Sequence, residues 1–211
     1  MTVNEALPAS APETTAQPHR QTREHVRDAA FRLFGRHGYD GVSIDTIARA
    51  VGLSKGALYW HFDGKEALFK ECLHVLEALF DEHITAPMAA AHTPGGGLNQ
   101  FFMGVSSLAA DPRIADGVAG YWQEPSNEAI SRVFHDQLGK QEDRLRQLLR
   151  QSLEETARDI EVRSLANIDT STETLMTLMR AIVVPLHRWD ARMRHAIIEE
   201  LRRTVLNAYA G

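Results

Sequence analysis

Ser43, Ser54, Lys55, Tyr59, His61 and Lys65 fall within one short stretch, SIDTIARAVGLSKGALYWHFDGK, and supply hydroxyl, phenol, imidazole and ammonium groups. Side chains of these types, with helix N-termini, hold phosphate oxygens and fix the register of a protein on a nucleic-acid duplex. Gly56 and Ala57 stand among them, and residues this small let a backbone approach another surface closely. The chemistry on offer is contact with a polyanion. Bond-making chemistry finds less support, because a nucleophile, a base and an orienting group would have to converge. Ser, His and Asp are scattered without a nucleophile-elbow motif, and the single Cys72 falls on an apolar helix face. No catalytic residue is expected. His74, His83 and His92 are nine apart, which neither shares a helix face nor matches a metalloprotease pattern, so neither a metal site nor a cofactor is expected.

Positioning such groups falls to the elements around them. Ser43 is placed to cap a short helix that turns Ile44, Ile47 and Ala48 inward and stops at Val51-Gly52-Leu53. Ser54 then caps a second, with Leu53, Leu58 and Phe62 assigned inward and Trp60 assigned either to packing or to the groove margin. Two short capped helices joined by a tight turn at Gly52 make a helix-turn-helix pattern, whose second helix suits a major groove. Before it, Val26, Ala30, Leu33 and Phe34 form the stripe of a helix over about Thr22 to Arg36, ended by His37-Gly38. After it, Asp63 followed three residues later by Glu66 predicts a capping box opening a helix that reaches about His83.

The rest of the chain keeps three-four apolar spacing and shows no convincing period-two alternation, so the fold class is all-α. A breaker-rich loop is expected over Pro87–Gly97, then helices over about Leu98–Ala109, Pro112–Trp122, Ser126–Ala157, Thr172–Arg188 and Asp190–Tyr209, with Pro185 kinking or ending the fourth of these. Residues 1–19 mix Ala, Pro, Thr, Ser and Glu with almost no large apolar residue and read as a disordered tail. With 211 residues, 44% of them hydrophobic, the chain can bury a sizeable core. It shows no signal-peptide pattern and no apolar run of membrane-spanning length, so a cytoplasmic location without membrane contact is expected. The net charge of −5 is uneven: Arg20 to Cys72 holds nine Lys and Arg against seven Asp and Glu. The N-terminal third is thus mildly basic, which is consistent with duplex binding although a nucleic-acid domain usually shows a stronger basic stripe.

The segment GYDGVSIDTIARAVGLSKGALYWHFDGKEALF resembles the DNA-binding domain of the TetR family of transcriptional regulators. The match combines Gly38-Tyr39, Ser43, Ile47-Ala48, Gly52, Ser54-Lys55-Gly56, Leu58-Tyr59, Phe62 and Lys65-Glu66-Ala67-Leu68 in the family's order, and GALYWHF resembles the branch that represses multidrug efflux pumps. The resemblance implies an N-terminal three-helix helix-turn-helix domain, joined by a fourth helix to a larger C-terminal helical ligand-binding and dimerisation domain. It also implies a homodimer on double-stranded operator DNA, released by a small-molecule effector. The family's DNA contacts carry over to Ser43, Ser54, Lys55, Gly56, Ala57, Tyr59, His61 and Lys65. Gly64 departs from the serine common in relatives, so capping is expected to pass to Asp63.

Residues 1–19, 20–66 and 67–211 are accordingly expected to be tail, DNA-binding domain, and effector and dimerisation domain. Phe102, Met103, Trp122, Phe134, His135, Met176 and Met179 are candidate walls of an effector pocket, since aromatic faces and adaptable Met side chains suit an apolar or aromatic compound and His135 could fix a polar group. Leu175, Leu178, Met179, Ile182 and Val183, with Met193, Ile197, Leu201, Val205 and Leu206, form two stripes that dimerisation would cover. The rival reading is a helical ligand-binding protein or enzyme without specific operator binding.

Overall fold

The computed structural model describes residues 16–93, 95–160, 167–185 and 188–210, and among them helices are joined by turns without any strand. Helix α1 (Ala16–His37) buries Val26, Ala30, Phe31 and Phe34 along one stripe. It starts earlier than composition predicts. Residues 16–19 are helical rather than tail, because Pro18 stands in the first turn, where a missing N–H costs nothing and a fixed φ suits the helix. The remainder of the expected tail, 1–15, lies outside the described residues. At the other end Gly38, with φ of 69°, closes α1 by donating its N–H to the Phe34 carbonyl at 2.9 Å.

Helices α2 (Ile44–Ala50), α3 (Lys55–Tyr59) and α4 (Lys65–Phe80) follow. The chain then continues through a π-turn, Asp81–Thr85, into α5 (Ala86–Ala89), so the loop expected from Pro87 begins only beyond Ala89. Pro87 lacks the N–H that would close an ordinary turn on the His83 carbonyl, and the wider turn absorbs that loss. Helix α6 (Gly96–Ala110) packs against this backbone at Gly104, where a Cβ would stand 2.3 Å from the His83 carbonyl oxygen.

The helix predicted over 112–122 is instead two 3₁₀ turns, Pro112–Ile114 and Ala119–Trp122. Gly117 between them has φ of 93° and interrupts any continuous helix. The segment is shaped by what it meets. A Cβ on Gly120 would lie 2.0 Å from the Phe34 carbonyl oxygen, and one on Gly35 would lie 2.5 Å from the Gly117 carbonyl oxygen, so both backbones approach through glycine. Tyr121 is fully buried against Phe31 and Phe69 and donates its hydroxyl to the Phe31 carbonyl at 3.0 Å. Arg36 pairs with Asp116 at 2.6 Å, and the Ser126 N–H donates to Asp40 at 2.8 Å, on the rim of the same joint.

Helices α7 (Glu128–Ile160), α8 (Ile168–Val183) and α9 (Ala191–Ala210) complete the described chain. α7 runs beside α4, α6 and α8, while α9 packs on α6. Pro185 lies just past α8 and so ends it rather than kinking it. Most of the polar link between α7 and α8, 161–166, lies outside the described residues. The buried side chains from Val26 to Ile198 form one continuous core.

A buried carboxylate staples the π-turn to this core. Asp111 accepts from the Arg113 backbone N–H at 2.7 Å and from its guanidinium at 2.6 to 3.0 Å, and His83 Nε2 lies 2.9 Å away. His83 Nδ1 in turn meets the Ser107 hydroxyl at 2.9 Å. Ser107, His83 and Asp111 have the composition of a hydrolytic triad, but the Arg113 fork occupies both carboxylate oxygens and makes the chain a structural tie. Chiefly through the Arg113 hydrogen bonds, and against the opposing effect of burial, the Asp111 carboxyl is held at about 2, below its ordinary 3.8. A depressed folded-state value means stabilisation that is complete above pH 4 and lost as pH falls through about 2. Thermal unfolding followed across this acid range should show a loss on the order of 2 kcal/mol that Asp111→Asn lacks.

Candidate nucleic-acid interface

Both serines cap as their positions predict. Ser43, in an extended conformation, accepts the Thr46 N–H on its Oγ at 3.1 Å, and Ser54 accepts the Ala57 N–H at 3.1 Å. The turn between the helices passes through Gly52 at φ of 70°, a left-handed conformation that costs glycine nothing. Leu58 and Phe62 are buried and Leu53 packs against the same core, with α3 seated on α2. The opposite face of α3 is open: Lys55, Gly56 and Tyr59 are exposed, and Ala57 is half-buried. Trp60, for which the sequence allows either packing or the groove margin, is 89% exposed at the end of α3 and takes no part in packing.

The cations around this face already have local partners. Lys55 Nζ lies 3.4 Å from the Asp45 carboxylate, and both side chains are exposed, so the pair is weak and its ammonium available to a stronger anion. Lys65 Nζ sits 3.9 Å from the centroid of the Tyr39 ring. Partial burial there lowers the Lys65 pKa, with Asp40 working against the shift, while burial followed by Glu66 and Asp40 raises that of Tyr39. His61 is half-buried, its ring 5.6 Å from that of His19. His19 escaped sequence reasoning because its composition context assigned it to the tail.

Asp63 does not cap α4. The N-cap is Gly64 itself, with φ of 102° and no side-chain cap bond. Glycine reaches that conformation freely and a residue with a Cβ does not, so the chain enters α4 by backbone freedom and the capping box is not formed.

The predicted pocket residues separate into three groups. Phe102, Phe134 and Met176 are buried in the core. Met103, 53% exposed, and His135, paired with Glu124 at 3.0 Å, lie on the outer surface. Each follows a buried aromatic by one residue, which places it about 100° further round its helix. Trp122 and Met179 border a narrow cleft of about 20 Å³ whose other walls include Leu76, Phe80, Leu138 and Leu145. Cys72 is buried, and burial pushes its thiol well above the ordinary range, away from nucleophilic use. Among the described residues no group of three His, Cys, Asp or Glu is placed to hold a metal ion, and no helix is long and apolar enough to cross a membrane.

Residues 26–72, from the middle of α1 into α4, match the family model described as bacterial regulatory proteins, tetR family. The HTH-type transcriptional regulator AcrR of Shigella flexneri is 41% identical over 68 residues, covering 32% of this chain and 32% of that protein. The uncharacterized HTH-type transcriptional regulator TtgW of Pseudomonas putida is 33% identical over 94 residues, covering 38% of this chain and 70% of the relative. The chain belongs to the TetR family. The relatives it matches are named transcriptional regulators, and the family is one of DNA-binding regulators rather than enzymes. The chain's match spans about a third of AcrR. The fold likeness reaches much further. A TetR transcriptional regulator from Chloroflexus aurantiacus J-10-FL superposes with a TM-score of 0.71 at 21% identity, over 90% of this chain and 96% of that one. The TetR fold, an N-terminal helix-turn-helix with a C-terminal helical domain, thus extends through helices whose sequences have diverged.

Proposed function

We propose that this TetR-family chain is a ligand-responsive repressor that binds a pseudo-palindromic operator as a homodimer and is released by a small apolar or aromatic effector. Residues 20–66 form the DNA-binding domain, and 67–211 the effector-binding and dimerisation domain. The observation that carries the reading is the open face of α3, where a Cβ on Gly56 would meet only the Ser54 hydroxyl, at 4.0 Å. A helix too short to contribute much burial presents glycine and a cation outward, which suits close backbone approach to a duplex. Gly56 and Ala57 let α3 approach the groove closely, while Ser43, Ser54, Lys55, Tyr59, His61 and Lys65 hold the DNA backbone around it. Leu178, Ile197, Leu201, Val205 and Leu206 remain half-buried and Met193 is 52% exposed along α8 and α9, a surface that a two-fold mate would cover. Two-fold symmetry matches half-sites roughly 34 to 36 Å apart, or a multiple of that spacing.

Selection of bound sequences from a random duplex pool, followed by titration of the winner at two salt concentrations, tests this. The expected result is a two-fold symmetric site bound at nanomolar concentration; no enrichment over random duplex would overturn the reading. In the same titrations Lys65→Ala should weaken selected and random duplexes alike and reduce the salt slope by about one unit. An unchanged slope would mean that the Lys65 ammonium is spent on Tyr39 and not on phosphate.

A further inference from the structure

The inward stripe of α7 is apolar at Phe134, Leu138, Leu145, Leu149 and Leu153, and a polar residue of full amide size interrupts it. Gln141 stands between Leu138 and Leu145 at helical spacing, is 8% exposed, and its Nε2 meets no acceptor. The smaller polar residues further along behave differently: Ser152 and Thr156 each donate to the carbonyl one turn back, at 2.8 and 2.7 Å. Trp122 repeats the anomaly from another element, its indole Nε1 buried without an acceptor. Both residues line the cleft bordered by α4, α7, α8 and the Ala119–Trp122 turn. Buried donors are rarely left unpaired, and an indole N–H can only donate.

We infer that this cleft takes an uncharged aromatic molecule bearing a hydrogen-bond acceptor, such as a ketone oxygen, held by Trp122 Nε1 and Gln141 Nε2. The inference deepens, and rests on, the reading of the chain as an effector-responsive regulator. Phe80 and Trp122, with ring centroids 6.3 Å apart, supply aromatic surface, and Met179 supplies an adaptable wall. Charge selects against an anion: the lining contains the Glu77 carboxylate and no Lys or Arg, while Glu142 and Arg180 neutralise each other. The cleft offers only about 20 Å³, room for roughly one water, so any larger occupant must part the walls. Such a ligand binds an opened arrangement in preference to this one, which is the differential affinity a population shift requires. Parting the walls moves Trp122, whose neighbours Gly120 and Tyr121 are keyed into the backbone of α1.

The test uses matched probes on the full chain by equilibrium dialysis: benzophenone against diphenylmethane, xanthone against xanthene, and anionic 4-benzoylbenzoate. Each ketone should bind at least tenfold more tightly than its hydrocarbon partner, and 4-benzoylbenzoate more weakly than benzophenone. In Gln141→Leu and in Trp122→Phe the ketone preference should fall towards unity while hydrocarbon affinity is kept, whereas a purely structural role would lower both together. Equal binding within both pairs, binding by neither pair, or a preference untouched by both variants would overturn the assignment. Duplex selection with the unliganded protein is independent of these probes, so a two-fold site found alongside failed probe binding would leave the regulator reading intact and remove only the ligand class.

Discussion

Gly56→Glu is expected to lower affinity for the selected duplex by at least roughly 100-fold while leaving the thermal midpoint of the free protein unchanged or slightly raised. The two effects separate because the free protein has room for the side chain: a Cβ at this position would meet nothing closer than the Ser54 hydroxyl at 4.0 Å. Replacing glycine inside a helix also removes a backbone-entropy cost of up to about 1 kcal/mol relative to alanine. Against a duplex the same carboxylate meets phosphates of like sign and fills the gap through which the backbone approaches. Gly56→Ala adds only a methyl group and no charge, so it should fall between wild type and the glutamate variant in affinity. Thermal melts paired with duplex titrations check both. Full affinity in Gly56→Glu would show that α3 does not approach DNA through this face.

Gly120→Ala has the opposite profile, a large stability loss from a single methyl group. Its Cβ would stand 2.0 Å from the Phe34 carbonyl oxygen and 2.5 Å from the Gly38 nitrogen, all main-chain atoms that cannot rotate aside. The expected cost is on the order of 3 kcal/mol, or about 10 °C in thermal midpoint. Gly139→Ala is the matched control. Gly139 lies within α7 with nothing within 4 Å of a Cβ, so the same methyl should leave the midpoint unchanged or raise it. A Gly120→Ala midpoint close to that of wild type would mean that the Ala119–Trp122 turn is held to α1 only loosely.

What sequence made legible follows the range of the interactions involved. The helix-turn-helix was readable because its determinants are local: Ser43 and Ser54 bond to residues three positions on, and Leu58 and Phe62 mark the inward side of α3. The 112–122 segment was not, because Ile114, Val118 and Tyr121 keep helical spacing while the turn is shaped by distant partners, Phe31, Phe34 and Gly35. At the start of α4 a sound local rule lost to backbone freedom, since Gly64 made the Asp63 cap unnecessary. Residue type alone does not report helix face, so the expected pocket residues lie in different places. Met103 and His135 each sit one residue past a buried aromatic and point elsewhere. A polar side chain where the stripe calls for an apolar one is the more local signal, and Gln141 is buried in that position.

The joint between the 119–122 turn and α1 has a consequence for how such regulators diversify. Tyr121 and Gly120 engage carbonyl oxygens of Phe31 and Phe34, atoms that every amino acid presents in the same way. On the α1 side the main demand on side-chain identity at this closest approach is that position 35 stay small. Because its closest approach is main chain to main chain, the joint restricts few positions of α1, Gly35 first, with the Phe31 ring against Tyr121 and the Arg36–Asp116 pair adding side-chain contacts around it. Chimeras that join this N-terminal segment to a foreign sensor should therefore depend on one glycine more than on overall similarity at the seam.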